Sequence, residues 1–203
     1  MPEQTSGTYN GSCHCGAVTY SLKLTFPPIH NPAAINSIRI YKCNCSTCQK
    51  MGFFHCRPIN ISDDFILKSP ATIEELGDYR TFSKKQSWYF CKDCGVRVFG
   101  HGGKWEQTEV DVGEWSGKEK DGKTEKVWFS KPDGMRTRVV DGVEKQVPFH
   151  YLSVNAVTLD TACEGGVDLR EWHEKGYVAY VENREKMGSG NARLEKPYPG
   201  GMF

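Results

Sequence analysis

The sequence predicts a mainly β protein built from antiparallel sheets, with one short C-terminal helix. Several short segments rich in β-branched and aromatic residues alternate apolar and polar positions with a period of two. Gly, Pro and Asp-Gly turn signals separate these segments at short intervals. Only one stretch carries a helix-start signature, and βαβ alternation is absent.

Residues 1–10 read as a loose, flexible polar tail, followed by a single domain over 11–185. Ser12–Leu24 (SCHCGAVTYSLKL) alternates as a strand or hairpin does, and Pro27, Pro28 and Pro32 mark a loop. Residues 35–45 form the next strand, with Ile38, Ile40 and Lys42 on one face and Arg39, Tyr41 and Cys43 on the other. CSTCQKMGFF turns sharply and has room for one helical turn. Further strands are expected at DDFILKSP, Glu75–Phe82, SWYF (87–90) and VRVFG (96–100), the last closed by Gly102–Gly103. Residues 116–126 are charged and free of apolar side chains, as in a solvated loop or hairpin tip. Pro-Asp-Gly at 132–134 and Asp-Gly at 141–142 are turn signals, and 149–159 supply a last strand. Asp168 with Glu171 predicts an N-cap and capping-box partner for a helix that stops at Gly176. Residues 186–203 read as an extended tail.

Composition narrows the function. Lys+Arg of 26 against Asp+Glu of 25 leave no electrostatic case for binding nucleic acid or an anionic membrane. No run of eighteen apolar residues exists, and the N-terminus lacks the basic-then-apolar pattern of an export signal, so a cytoplasmic setting is expected. In that reducing compartment clustered cysteines point to metal ligands rather than disulfides.

Seven of the nine cysteines fall into three groups: Cys13-His14-Cys15, Cys43-Asn44-Cys45-Ser46-Thr47-Cys48, and Cys91-Lys92-Asp93-Cys94-Gly95. In a strand, residues i and i+2 share a face, so Cys13 and Cys15 would present two thiolates side by side. A C-x-x-C turn wraps two sulfurs around one ion, and a following Gly supplies the positive φ of such a knuckle. Cys13, Cys15, Cys91 and Cys94 therefore make one complete four-thiolate zinc set. Cys43, Cys45 and Cys48 make a second site with three ligands and an open fourth position, the pattern of catalytic rather than structural zinc. Two alternatives stand beside this assignment. Cys56 or His55 could close the second site, or the triplet could join Cys13 and Cys15 and leave Cys91 and Cys94 as a redox dithiol.

Three thiolates leave a poor activator of water but a natural home for one more soft ligand, an incoming thiol bound as thiolate. The expected chemistry is therefore the making or breaking of a bond to sulfur, with a small-molecule thiol or thiol adduct as partner. His14 falls on the face away from its flanking ligands. His55 lies near the open site, Trp88–Phe90 read as packing, and Lys84–Lys85 as a solvated pair with the alternative of a substrate carboxylate site.

GSCHCGAVTY (11–20), CNCSTCQKMG (43–52), the FILKSP…LGDYRTF run (65–82) and FCKDCGVRVFG (90–100) together resemble the family of glutathione-dependent formaldehyde-activating enzymes, which also contains centromere protein V. The resemblance implies Mss4-like, zinc-bound β-sheets with two zinc ions. Cys13, Cys15, Cys91 and Cys94 would be structural ligands and Cys43, Cys45 and Cys48 catalytic ones. It also implies a carbon–sulfur lyase or synthase that joins formaldehyde to glutathione, the glutathione serving as substrate or cosubstrate. The centromere relative carries the alternative of a non-enzymatic zinc-stabilised binding module. Val96, the pair Trp88-Tyr89 and a charged stretch over 104–148, read as an insertion, depart from the family pattern.

Overall fold

A computed structural model describes residues 3–29, 36–81, 84–120, 122–140, 142–184 and 192–197. The first half runs β1 (Thr5–Ser12), β2 (Thr19–Phe26), β3 (Arg39–Cys43), α1 (Ser46–Met51), β4 (Phe54–Arg57), β5 (Phe65–Ser69), β6 (Leu76–Arg80) and β7 (Ser87–Cys91). Then follow β8 (Arg97–Gly102), β9 (Lys104–Asp111), α2 (Val112–Trp115), β10 (Thr124–Lys131), β11 (Met135–Val140) and β12 (Val143–Pro148). The chain closes with β13 (Tyr151–Asn155), α3 (Leu169–Glu174), β14 (Ala179–Glu182) and β15 (Ala192–Leu194).

These strands form a five-stranded sheet in the order β1-β2-β5-β10-β9 and an eight-stranded sheet in the order β15-β14-β3-β4-β13-β8-β7-β6, with β11-β12 as a separate ribbon. The mainly β, antiparallel architecture is as predicted, with one exception: β14 lies parallel to β3, setting Val181 beside Cys43. The core lies between the two sheets. Tyr20, Leu22, Leu24, Phe65 and Leu67 of the smaller sheet meet Ile40, Phe54, Cys56, Phe99, Leu152 and Val154 of the larger one. Burial of this continuous apolar layer drives the packing, and strand alternation decides which residues enter it.

The tail expected over residues 1–10 is corrected: from Thr5 onward it is β1, paired with β2 from Thr5↔Phe26 to Ser12↔Thr19. An edge strand is held by its backbone ladder and needs no apolar stripe, which is why TSGTYNGS carries no strand signal. Tyr9 adds an edge contact with Phe26 at 6.0 Å. The strand expected over 149–159 is shorter, since Ala156–Thr158 form a 3-10 turn after β13. Asp168 caps α3 through the backbone N–H groups of Arg170 and Glu171, while the Glu171 side chain pairs with Lys175 at 2.9 Å instead of completing a box. Two short helices, α1 and α2, join the predicted C-terminal one. Within 104–148, β9 and β10 belong to the five-stranded sheet; of the expected loop over 116–126, Ser116–Lys120 follow α2, residues 124–126 already belong to β10, and residue 121 lies outside the described residues. Most of the expected tail over 186–203 lies outside the described residues, apart from 192–197.

Leu152 is fully buried between the sheets, whereas Val157 is 57% exposed. Truncation of Leu152 to Ala should destabilise the protein by about 2–5 kcal/mol, and Val157→Ala should stay within about 0.5 kcal/mol, as measured by urea unfolding.

Candidate metal centres

Two hairpins of different sheets bring the first group of cysteines together. Cys13 and Cys15 sit in the turn between β1 and β2, while Cys91 ends β7 and Cys94 sits in the turn that follows to β8. The strand geometry expected for Cys13 and Cys15 is thus replaced by a knuckle. Both turns close the same way: Cys13 N–H donates to the Val18 carbonyl at 3.0 Å, and Cys91 N–H to the Val96 carbonyl at 3.0 Å. Each turn contains a glycine at positive φ, Gly16 at 79° and Gly95 at 74°, where a side chain would be strained. The Val18 N–H points back to Cys13 Sγ at 3.3 Å, as an amide does toward a thiolate.

The four sulfurs all lie within 4.8 Å of one another, with Cys13–Cys15 at 3.5 Å and Cys15–Cys91 at 3.6 Å. Four sulfurs about 2.3 Å from one tetrahedral ion have edges of about 3.8 Å, so the set fits zinc in donor type, number and spacing. Cys13 and Cys91 are buried, Cys94 is half-buried and Cys15 exposed. Backbone N–H groups, first that of Val96, pull the Cys94 thiol down to about 6, toward the thiolate a metal requires. His14 is exposed, as expected.

The second group forms where β3 runs into α1. Cys43 ends the strand, Cys45 is the N-cap of α1 with its sulfur accepting from Cys48 N–H, and Cys48 faces inward from the helix. Gly52 at φ 59° ends the helix after six residues and turns the chain into β4. Again the three sulfurs lie within 4.8 Å of one another. Cys43 and Cys48 are buried and Cys45 is half-exposed, so the cluster has one open side. Donation from Cys43 and then from Cys48 holds the Cys45 thiol down at about 2, while the shared hydrogen bonds push Cys48 up. In the metal-free cluster Cys45 is therefore the first to ionise.

Successive positions on β4 separate the two candidates for a fourth ligand. Cys56 points into the core between the sheets, fully buried, and belongs to neither sulfur group. His55 points the other way, its ring stacked on Tyr41 at 4.2 Å and 6° and tilted against Phe53 at 4.7 Å. Its Nε2 lies 3.1 Å from Cys48 Sγ and its Nδ1 2.9 Å from Ser153 Oγ. That is hydrogen-bond spacing, and His55 is not among the residues whose donor atoms gather within 4.8 Å. Burial, and then Arg57, hold the imidazole down at about 3, so it is neutral. With a thiolate at Cys48, the satisfied tautomer has Nε2–H donating to sulfur and Nδ1 accepting from the Ser153 hydroxyl.

The parallel strand β14 supplies neighbours with no counterpart in the local sequence pattern. Asn183 Nδ2 donates to Cys43 Sγ at 3.5 Å. The side-chain Oδ1 of Asn44 accepts from the backbone N–H groups of Asn183 and Arg184 at 2.7 and 3.1 Å, and its Nδ2 donates to the buried Glu182 carboxylate at 3.0 Å. Trp88 packs edge-on against Phe53 at 4.9 Å, and its indole N–H is buried with no partner among the described residues. Trp88 thus belongs to the wall of the three-thiolate cluster, not to the core between the sheets, where its neighbour Tyr89 lies.

In the metal-free, reduced protein these environments order the thiols. Alkylation at pH 7 in a Cys163→Ser background should modify Cys94 and Cys45 well before Cys56, which burial pushes up and seals off. Peptide mass spectrometry of time points would show the order.

A family model described as "Glutathione-dependent formaldehyde-activating enzyme" matches residues 8–131, more than half of the chain and all seven clustered cysteines. A crystal structure of a Rhodobacter sphaeroides protein is similar over 66% of this chain and 89% of its own, at 20% identity and a TM-score of 0.33. At that level the structural likeness adds nothing to a functional reading. No helix among the described residues is long and apolar enough to cross a membrane.

Proposed function

The chain belongs to the family of glutathione-dependent formaldehyde-activating enzymes, and from that premise we propose that it is a zinc-dependent carbon–sulfur lyase or synthase acting on a glutathione-type thiol adduct. Cys13, Cys15, Cys91 and Cys94 would hold a structural zinc, and Cys43, Cys45 and Cys48 a catalytic one. The observation that carries this reading is a cluster of three sulfurs with, among the described residues, no fourth ligand-type atom inside the same 4.8 Å group. Zinc bound there supplies a Lewis-acidic position for one further soft ligand, the substrate thiolate.

The surrounding side chains suit that task. His55 and Asn183 each place a hydrogen-bond donor against a ligand sulfur, which lowers the charge that three thiolates would otherwise concentrate on the ion. Phe53, Trp88 and Val181 keep water from the buried side of the cluster, where Cys43 and Cys48 lie. A ligand therefore enters past Cys45, the half-exposed member. The unpartnered indole N–H of Trp88 is a donor that a polar group of the adduct would satisfy. A reducing compartment such as the cytoplasm keeps all seven thiols available.

The cobalt-substituted protein should bind two ions per chain, and glutathione should change the spectrum of one of them. A spectrum unaltered by saturating glutathione would count against the proposal. Cys45→Ser should remove one equivalent of zinc and the response to glutathione while leaving the fold intact. Cys91→Ser, which opens the tie between the sheets, should lower the melting temperature steeply.

A further inference from the structure

On the opposite side of the β7–β8 hairpin lies a cavity of about 540 Å³ with a different chemistry. Ser87 and Tyr89, which flank Trp88 on β7, line it, so strand alternation sets it on the face away from the three-thiolate cluster. Its wall is shaped by two glycines. A Cβ at Gly102 would sit 2.6 Å from the Phe149 ring, and one at Gly103 2.4 Å from the Lys131 carbonyl oxygen. Glycine at 102 lets Phe149, at the base of the β11–β12 ribbon, close against the end of β8, and glycine at 103 leaves room for the end of β10.

The charged side chains lining the cavity are Arg80, Lys84, Lys85 and Arg136, against the single carboxylate of Asp133. Among the described residues of the lining, four cations meet one anion, and Asp78 beside Arg80 adds a second, against 26 to 25 for the chain. Asp78 holds Arg80 through Nε at 2.8 Å, which leaves the terminal fork of the guanidinium as the part a ligand would bridge. Lys84 adopts a left-handed backbone (φ 57°) and reaches the Arg80 carbonyl at 3.4 Å. Arg136 stacks over Phe149 at 5.6 Å. On the floor, buried His101 stacks on Trp105 at 4.1 Å and shares Ser130 Oγ with His150 at 2.9 and 2.8 Å. Burial keeps that imidazole neutral, so the positive potential comes from the rim.

We propose that this cavity binds a small dianion, a phosphate ester or a dicarboxylate, clamped by Arg80, Lys84, Lys85 and Arg136. Charge-assisted hydrogen bonds from several cations converging on one concavity are the usual means of holding such a ligand. Arg80, Lys84 and Lys85 lie within the family match over 8–131, whereas Asp133, Arg136 and Phe149 follow it, so the cavity joins a family segment to one beyond it. It also stands apart from the lyase reading, since no cysteine lines it.

The zinc-loaded protein would be titrated at low ionic strength with methyl phosphate and, separately, succinate, and followed by amide ¹H–¹⁵N spectra. Saturable one-to-one shifts centred on Gly102, Gly103 and the ribbon are expected. Binding should weaken at least tenfold in Lys84→Ala/Lys85→Ala and in Arg136→Gln, and with added salt. Unchanged zinc content and melting temperature in these variants would exclude loss of fold. Saturation by one anion alone assigns the ligand to that class, and saturation by both assigns it to dianions in general. The proposal is overturned if neither anion gives saturable shifts, if the variants bind as well as the parent, or if the shifts centre on Phe53 and Val181.

Discussion

A β-strand sends successive side chains to opposite faces, and the whole arrangement depends on how the eight-stranded sheet uses that rule. Ile40, Phe54, Cys56 and Val154 face the smaller sheet and complete the core. The intervening positions Tyr41, Cys43, His55 and Ser153 meet on the other face, where the three-thiolate cluster forms. Neighbouring residues on one strand, His55 and Cys56, thus have unrelated fates. One lies against the thiolates, and the other is a small apolar group in the core. A register slip of one residue in β4 would exchange them and dismantle both layers at once.

The two sulfur groups differ in the kind of element that carries them. The four-cysteine group joins two hairpin turns, one from each sheet, and the matching Cys13–Val18 and Cys91–Val96 closures make the turns near copies of each other. Such a group links segments 76 residues apart at Cys15 and Cys91, which suits a structural role. The three-cysteine group is local, spanning the end of β3 and a six-residue helix, and it depends on remote strands for its surroundings. Ser153 orients His55, and Asn183 reaches Cys43 from 140 positions away. Strand neighbours hold Cys43 and Cys48 in the interior and leave Cys45 as the half-exposed sulfur among the described residues.

Much of this was legible in the chain itself. The spacing of the cysteines announced both groups because metal chemistry demands few ligand patterns, and the alternation around Ile38–Cys43 located the strand that presents the triplet. The Gly after Cys15, like the Gly after Cys94, marked a knuckle more truthfully than the i, i+2 spacing marked a strand. Other features left no local trace. β1 is held by backbone pairing alone, so its polar composition resembled a tail. Trp88 and Tyr89 are alike in composition, and only their opposite directions on β7 assign one to the cluster and the other to the core. Asn183 and the parallel pairing of β14 with β3 are products of tertiary folding, invisible to any short window.

The central claim is that the triplet carries an ion whose fourth position is open to sulfur from outside. A crystal structure with metals located by anomalous scattering at the zinc edge tests it most directly. Two ions per chain are predicted, the second held by Cys43, Cys45 and Cys48 with solvent or a small-molecule sulfur completing it. An empty triplet, or an ion capped by the His55 ring nitrogen, would contradict the account.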